Sequence, residues 1–403
     1  MGTLAQQMAD AGHDVTWWSA TFYHQRKRFR GAEDMLVDLS ENFRLRLIHT
    51  TGYRKNVSLA RIRDHRQLER KFIRQARLLD PPDIILSAMP IPALCRAAAE
   101  YGIEKGVPVA LDIRDLWPDV FLGLVPKSIS GMARLALYPM KRTSTAACSM
   151  ATAILGITPN YVEWGLGHAR RKATALDRYF PMGYSSKEPE PSEIGRAERF
   201  WDGHEVRSDS ETFIACFFGW LGHHFEIEPI LEAARILESD RRRFRFVFCG
   251  AGDNLERYRQ MAADLPSVLF AGFVNSAEIW TMMRRASVGL APYISSDNFV
   301  VNLPNKPAEY MSGGLPIVSS LRGALADLLR ERRCGLTYEN GSVDQLVSIL
   351  RELYDNPERR LEMARRARAV YEERFVAEKV YGEMIRHMEG IIEDYRFKNS
   401  STV

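Results

Sequence analysis

Several things are scarce in this 403-residue sequence, and each scarcity excludes a class. No window reaches the roughly 18 to 20 uninterrupted apolar residues of a membrane-spanning helix, so any membrane contact is expected to be peripheral. The five cysteines (Cys95, Cys148, Cys216, Cys249 and Cys334) are odd in number, far apart and form no CxxC pair. That pattern indicates neither a disulfide framework nor a zinc site, and it suits a reducing cytosol. The opening residues lack the basic and apolar pattern of a signal peptide, and the expected location is cytoplasmic. Excess charge is small as well: 55 Lys and Arg against 51 Asp and Glu leave a formal +4, which argues against wholesale nucleic-acid binding and directs attention to local basic patches. No low-complexity tract or internal repeat stands out, and 46% hydrophobic with 26% charged residues leaves little room for long disorder.

What is present is a rhythm. Apolar runs bounded by turn signals recur at 14–20, 43–50, 83–89, 108–115 and 152–158, mostly separated by helical patterns. A polar, Pro-interrupted stretch follows, and a second series begins at 212–220, 244–252, 268–274, 288–293, 315–320 and 335–339. Strands alternating with helices predict parallel sheets covered on both faces, built twice. The expected organisation is a Rossmann-like domain over 1–185, a linker over 186–211, a second Rossmann-like domain over 212–375, and a helix with a frayed tail over 376–403. Two such domains facing each other create a cleft, and open α/β sheets bind ligands beyond the carboxyl ends of their strands. A doubly wound domain normally opens with a strand, whereas this chain opens on a helical pattern (Leu4, Met8, Ala11, then Gly12); the expectation is a shortened form lacking that first strand.

Chemistry is concentrated in a few segments. FRFVFCGAGDNLERY (244–258) has a strand, Gly250-Ala251-Gly252 and a helix, but Leu255 stands where a dinucleotide fingerprint needs its third glycine, so a tight strand-to-helix turn is the better reading. FAGFVNSAEIW (270–280) is a strand end followed by a capped helix. LPNKPAEYMSGGLPIVSS (303–320) sets Glu309 on a short helix with prolines early and glycines late; its local pattern alone reads as a carboxylate favoured by the helix dipole.

The order GAGDN, GFV, RASVGLAPY, PNKPAEYMSGG, CGLTYEN resembles the C-terminal domain of family 4 glycosyltransferases, retaining enzymes of GT-B fold, and LDIRDLWPDV (111–120) with ITPNYVEW (157–164) resembles their N-terminal domain. The resemblance implies that Glu309 binds the ribose hydroxyls of a sugar nucleotide, since an ionised carboxylate is acceptor-only and can take two vicinal O–H groups. It implies that Phe273 and Val274 hold the base, that the helix start at Asn305 offers N–H groups to a diphosphate, and that Gly222 and Leu303 complete the donor site. The sequence also departs from the family: Val301 replaces a second glutamate, leaving backbone groups near Phe299–Leu303 or Asp297 for the sugar. The usual Arg and Lys after the first strand are missing from FFGWLGHHFEIE, which leaves Lys306, with His223 as a weaker partner, to balance the diphosphate. Arg114 and Asp115 are the remaining catalytic candidates; Asp115 reads equally well as a turn cap. The family implies no metal, no cofactor and no agreed covalent nucleophile.

Two basic stretches remain. TFYHQRKRFRG (21–31), with His24, Arg26 and Lys27, is on the acceptor side of this fold. Residues 54–79 carry nine Lys and Arg against two acids, with Ile62, Phe72, Ile73, Ala76 and Leu79 as a broken apolar face, suggesting either an anionic membrane surface or an ordinary solvated helix. The expected activity is transfer of a sugar from a nucleoside diphosphate to a glycan or polyprenyl-linked glycan in surface polysaccharide synthesis. The rivals are a nucleotide-sugar epimerase and a weakly catalytic binding subunit.

Overall fold

The computed structural model describes residues 2–24, 26–55, 58–207 and 211–400. They form two compact units, Met1–Pro181 with Ala377–Val403, and Met182–Val376. The chain therefore enters the second unit at Met182, leaves it at Val376, and finishes in the first.

The first unit holds β1 (Val15–Ala20), β2 (Phe22–Tyr23), β3 (Arg28–Phe29), β4 (Met35–Ser40), β5 (Phe43–Ile48), β6 (Ile85–Met89), β7 (Val109–Ile113), β8 (Ala153–Gly156) and β9 (Arg178–Tyr179). Its strands form two sheets, ordered β1-β5-β4 and β6-β7-β8-β9, beside a β2-β3 hairpin. Pairing is parallel in the second sheet and between β1 and β5, and antiparallel between β4 and β5. β7 is buried along its whole length, which is why VALDI reads as an unbroken apolar run. The helix Ala377–Ser400 buries Val380, Tyr381, Met384, Ile385, Met388 and Ile391 against Leu4, Ala110 and Leu155 of this unit; it extends through 398–400 of the tail expected to fray over 398–403, whose last three residues lie outside the described ones.

The basic stretch forms the helix Leu59–Ala76, started by Ser58, whose Oγ accepts the Arg61 N–H at 3.2 Å. Part of its apolar face is occupied: Leu68, Phe72 and Ala76 pack with Ile48, Ala97, Ala98 and Tyr101. Of the expected face, Phe72 and Ala76 are buried and Ile73 packs on the same cluster, whereas Ile62 stays exposed. What remains exposed is a row of cations, Arg63, Arg66, Arg70 and Arg74, with the apolar Leu59, Ile62 and Leu78 beside it.

The second unit holds β10 (Thr212–Phe218), β11 (Arg243–Cys249), β12 (Val268–Gly272), β13 (Val288–Ala291), β14 (Ile317–Ser319) and β15 (Gly335–Thr337). All pair in parallel in the order β12-β11-β10-β13-β14-β15. Taken as first to sixth, this is the 3-2-1-4-5-6 order of a dinucleotide-binding sheet, and it reverses direction between β10 and β13. The crevice at that switch point is where such a sheet receives a ligand.

The expected linker is not bare. Pro191–Gly203 is a helix opened by a Glu190/Glu193 capping box, and its Trp201 is fully buried, donating Nε1–H to the Glu278 carbonyl at 2.8 Å. Polar composition hid it, because only Ala197 and Trp201 of this helix are buried. The strand Met35–Ser40 was also unforeseen: five of its six residues are exposed, and an exposed edge strand leaves no apolar run to read.

Candidate functional site

The helix Asn305–Ser312 sits beside the switch point, and its sequence explains how it is held. Pro304 caps its start, Pro307 falls in the first turn where its missing N–H costs nothing, and Gly314 closes it with φ +67°. Tyr310 pins it from below: its fully buried hydroxyl donates to the Leu290 carbonyl at 2.9 Å and accepts the Phe218 N–H at 3.3 Å, joining β13 to β10. Gly289 is required for this, since a Cβ there would lie 2.4 Å from the Tyr310 ring.

That anchoring turns Lys306 and Glu309, three residues apart, toward one side. Lys306 Nζ lies 4.5 Å from the ring centre of Phe225, 5.6 Å from Phe217 and 5.9 Å from Tyr293. The ring faces favour the ammonium, yet burial lowers its pKa to about 8 against the opposing pull of Glu309. Glu309 is the fifth residue of the helix, beyond the first turn, so the dipole does not explain it. Burial pushes its carboxyl up, countered by a hydrogen bond from Tyr184 Oη at 3.0 Å and by the Lys306 charge.

Glycine backbone lines the rest. Gly219, at φ +153°, donates to the Cys249 carbonyl at 2.9 Å, and a Cβ on it would meet Lys306 Cε at 2.4 Å. A Cβ on Gly250 would lie 1.9 Å from the Gly219 carbonyl oxygen, and one on Gly252 would lie 2.2 Å from that of Leu221. The loops after β10 and β11 thus pack backbone on backbone, which is the physical content of the GAG turn.

Of the other donor-side candidates, Phe273 directly follows β12 with 79% of its surface exposed and Val274 is buried. His223 and Asn305 are exposed, while Gly222 is buried and Leu303 partly so. The side chain of Asp297 lies outside the described residues. Asn302, which sequence reasoning passed over, has a buried Oδ1 without a partner among the described residues.

In the first unit, Arg114 pairs with buried Asp112 at 2.5 Å. Asp115 accepts the Leu116 N–H at 2.9 Å and the Trp117 Nε1–H at 3.1 Å, so its carboxylate does cap the local turn. His24 Nδ1 lies 2.6 Å from Tyr53 Oη and 3.2 Å from Lys27 Nζ. Arg26 is exposed over the Tyr23 ring. The structure adds Arg61, 5.4 Å from the Tyr53 ring centre and 4.3 Å from that of Trp117, and His65, 6.0 Å from that of Trp117. Burial lowers both histidines to about 4, reinforced by Lys27 and Arg61 at His24 and by Arg61 and His24 at His65. Sequence spacing gave no sign that these loops meet the helix Leu59–Ala76.

Among the described residues, no group of three or more His, Cys, Asp or Glu is placed to hold a metal ion, and no helix is long and apolar enough to cross a membrane.

Residues 203–370 match the family described as Glycosyl transferases group 1. The amylovoran biosynthesis glycosyltransferase of Erwinia amylovora is 26% identical over 163 residues, 40% of this chain. The match spans 40% of the length of that relative. Among solved structures, the sucrose-phosphate synthase of Thermosynechococcus elongatus superposes with a TM-score of 0.72 at 15% identity, over 97% of this chain and 92% of that one. The Anabaena protein HepE, solved with UDP, gives 0.61 at 14% identity over 86% of each chain. At such identities the likeness is one of fold, and the fold is GT-B. Residues 203–370 are a glycosyl transferases group 1 domain, carried by a chain of GT-B fold.

Proposed function

We propose that the chain is a retaining glycosyltransferase of family 4 that moves a sugar from a nucleoside diphosphate to a glycan or lipid-linked glycan in surface polysaccharide synthesis. One observation carries the reading: an acceptor-only carboxylate and a ring-boxed ammonium, Glu309 and Lys306, share one side of a helix at the switch point of a dinucleotide-type sheet. Glu309 takes the ribose hydroxyls. Lys306 and the N–H groups at the start of its helix face the diphosphate, whose charge grows as the bond from the anomeric carbon to the phosphate oxygen breaks. The acceptor oxygen bonds to the same face of that carbon, and its proton passes to the leaving phosphate. Asn302 Oδ1 is an unmet acceptor suited to a sugar hydroxyl. Charge compensation by Lys306 gives the reading no need of a metal or cofactor.

The acceptor is assigned to the first unit, near His24, Arg26 and Lys27. Arg114 and Asp115 shape that wall through Asp112 and Trp117. The exposed arginines of Leu59–Ala76 supply electrostatic attraction to an anionic cytoplasmic leaflet.

The relative named for amylovoran biosynthesis and the HepE complexes with UDP and UDP-glucose support the polysaccharide and nucleotide-sugar parts of this reading. Calorimetry with nucleoside diphosphates on wild type and Glu309→Ala tests it: the variant is expected to bind about tenfold or more weakly, the range for a hydrogen bond to a charged group. Equal affinity would overturn the ribose assignment. Donor consumed without acceptor, yielding an epimer, would overturn the transferase.

A further inference from the structure

The hydroxyl that meets Glu309 comes from a residue 125 positions earlier, outside the matched domain of 203–370. Tyr184 is the third residue after the chain enters the second unit, and its surroundings fix it closely. Its N–H donates to the Phe375 carbonyl at 2.8 Å, and it bridges in parallel to Val376, where the chain leaves the same unit. Its carbonyl accepts from the buried hydroxyl of Tyr371 at 2.8 Å, and that hydroxyl also lies 2.9 Å from Ser186 Oγ. The chain's entry to and exit from this unit are therefore hydrogen-bonded to each other at the residue whose side chain reaches Glu309.

The far end of the same helix is tied down as well. Ser312 Oγ donates to the Glu309 carbonyl at 2.7 Å, and Arg368, one turn before Tyr371, donates Nη1–H to the Ser312 carbonyl. Glu309 is thus held at its backbone from one side and at its carboxylate from the other.

We infer that Tyr184 is a positioning residue for nucleotide-sugar binding: its hydroxyl holds the Glu309 carboxylate in the rotamer and the ionised state that accept two ribose hydroxyls. The inference rests on the ribose role proposed for Glu309. A carboxylate offers about four lone-pair sites, so one hydrogen bond to Oε1 leaves room for the pair of sugar hydroxyls. The ionised form needs help here, because burial favours the neutral acid and a neutral carboxyl would present one donor where two acceptors are wanted. The other groups that face Glu309 are Lys306 and Tyr310 of its own helix, Tyr293 after β13, Cys216 of β10 and Cys249 of β11. Of these, only Lys306 favours the charged form as Tyr184 does.

The test uses the full chain. Melting temperature first identifies which of UDP, GDP, ADP, CDP and dTDP stabilises it, and calorimetry then follows that nucleotide from pH 5 to 8 on wild type, Tyr184→Phe, Glu309→Gln and the double variant. Tyr184→Phe is expected to weaken binding about tenfold, or about 1.4 kcal/mol. It is also expected to move the acid limb of the affinity profile to higher pH, since the lost hydrogen bond had lowered the Glu309 pKa. In the Glu309→Gln background the same change should have little further effect. A purely structural tyrosine would lower the melting temperature and leave the acid limb in place, and that result overturns the inference while sparing Glu309. Should Tyr184→Phe fail to fold, the comparison is made with Tyr371→Phe, which loosens the Tyr184 backbone and should move the same limb in the same direction; an unmoved limb is again negative. If no nucleotide stabilises the chain, or Glu309→Gln binds like wild type, the ribose reading falls and this inference falls with it.

Discussion

Gly219→Ala is a small change with two separable consequences. The added methyl would sit 2.4 Å from Lys306 Cε and 2.6 Å from Nζ, too close for both to stay. Lys306 is the flexible partner, so its ammonium moves out of the box formed by Phe217, Phe225 and Tyr293. The backbone at φ +153° also disfavours a Cβ. A strained non-glycine residue costs about 1–3 kcal/mol, and for a unit of this size about 2 kcal/mol lowers the melting temperature by about 4–8 °C. Turnover should suffer more, because removing one preorganised charge from a developing oxyanion lowers kcat by about 10²–10³. Release of nucleoside diphosphate at saturating donor and acceptor, with melting followed by fluorimetry, measures both. Lys306→Ala should show a similar turnover loss without the backbone penalty, and the double variant should turn over no more slowly than Lys306→Ala, since the methyl acts through the lysine. Near-wild-type turnover in Gly219→Ala, or losses that multiply in the double variant, would refute the placement of Lys306 at the leaving group.

Two further predictions concern charge. Lys306 loses its proton near pH 8 in the folded chain and near 10.5 when unfolded, so its contribution to stability rises as pH climbs from 8 to 10.5. A bound diphosphate reverses the shift: at pH 9 nucleotide binding should take up a proton, seen as a dependence of calorimetric heat on buffer ionisation, and Lys306→Met should abolish it. Charge reversal at Arg66, Arg70 and Arg74 should weaken binding to phosphatidylserine vesicles, with the difference shrinking as salt rises; a parent chain that ignores such vesicles at low salt ends the membrane proposal.

The strands of both units were legible because parallel sheets bury both faces, so FIACFF and VALDI announce themselves as runs. The Asn305–Ser312 helix was legible for another reason, since prolines and glycines bound it. The helix Pro191–Gly203 was not, because it buries only two residues and the rest of its sequence is that of a solvated surface. Tyr184 was invisible in principle: nothing in GYSSKE encodes an encounter with a carboxylate 125 residues away, which arises from the crossing of the chain at Phe375. Arg114 and Asp115 stood out as charges at a strand end, and the structure shows how both are engaged locally, with Asp112 and with the turn to Trp117.

The return of Ala377–Ser400 to the first unit also sets an order of events during synthesis. Leu4 emerges from the ribosome early, but six of the buried residues that cover it are Val380 to Ile391. All of Met182–Val376 must be translated in between, about 10–40 s at about 5–20 residues per second. Through that interval the nascent first unit has an uncovered apolar face, while the second unit carries its whole core in one continuous segment and is free to fold. The unit Met182–Val376 is therefore expected to mature before the first unit, and the nascent protein is most vulnerable to aggregation, and most in need of a chaperone, just before Ala377–Ser400 is made.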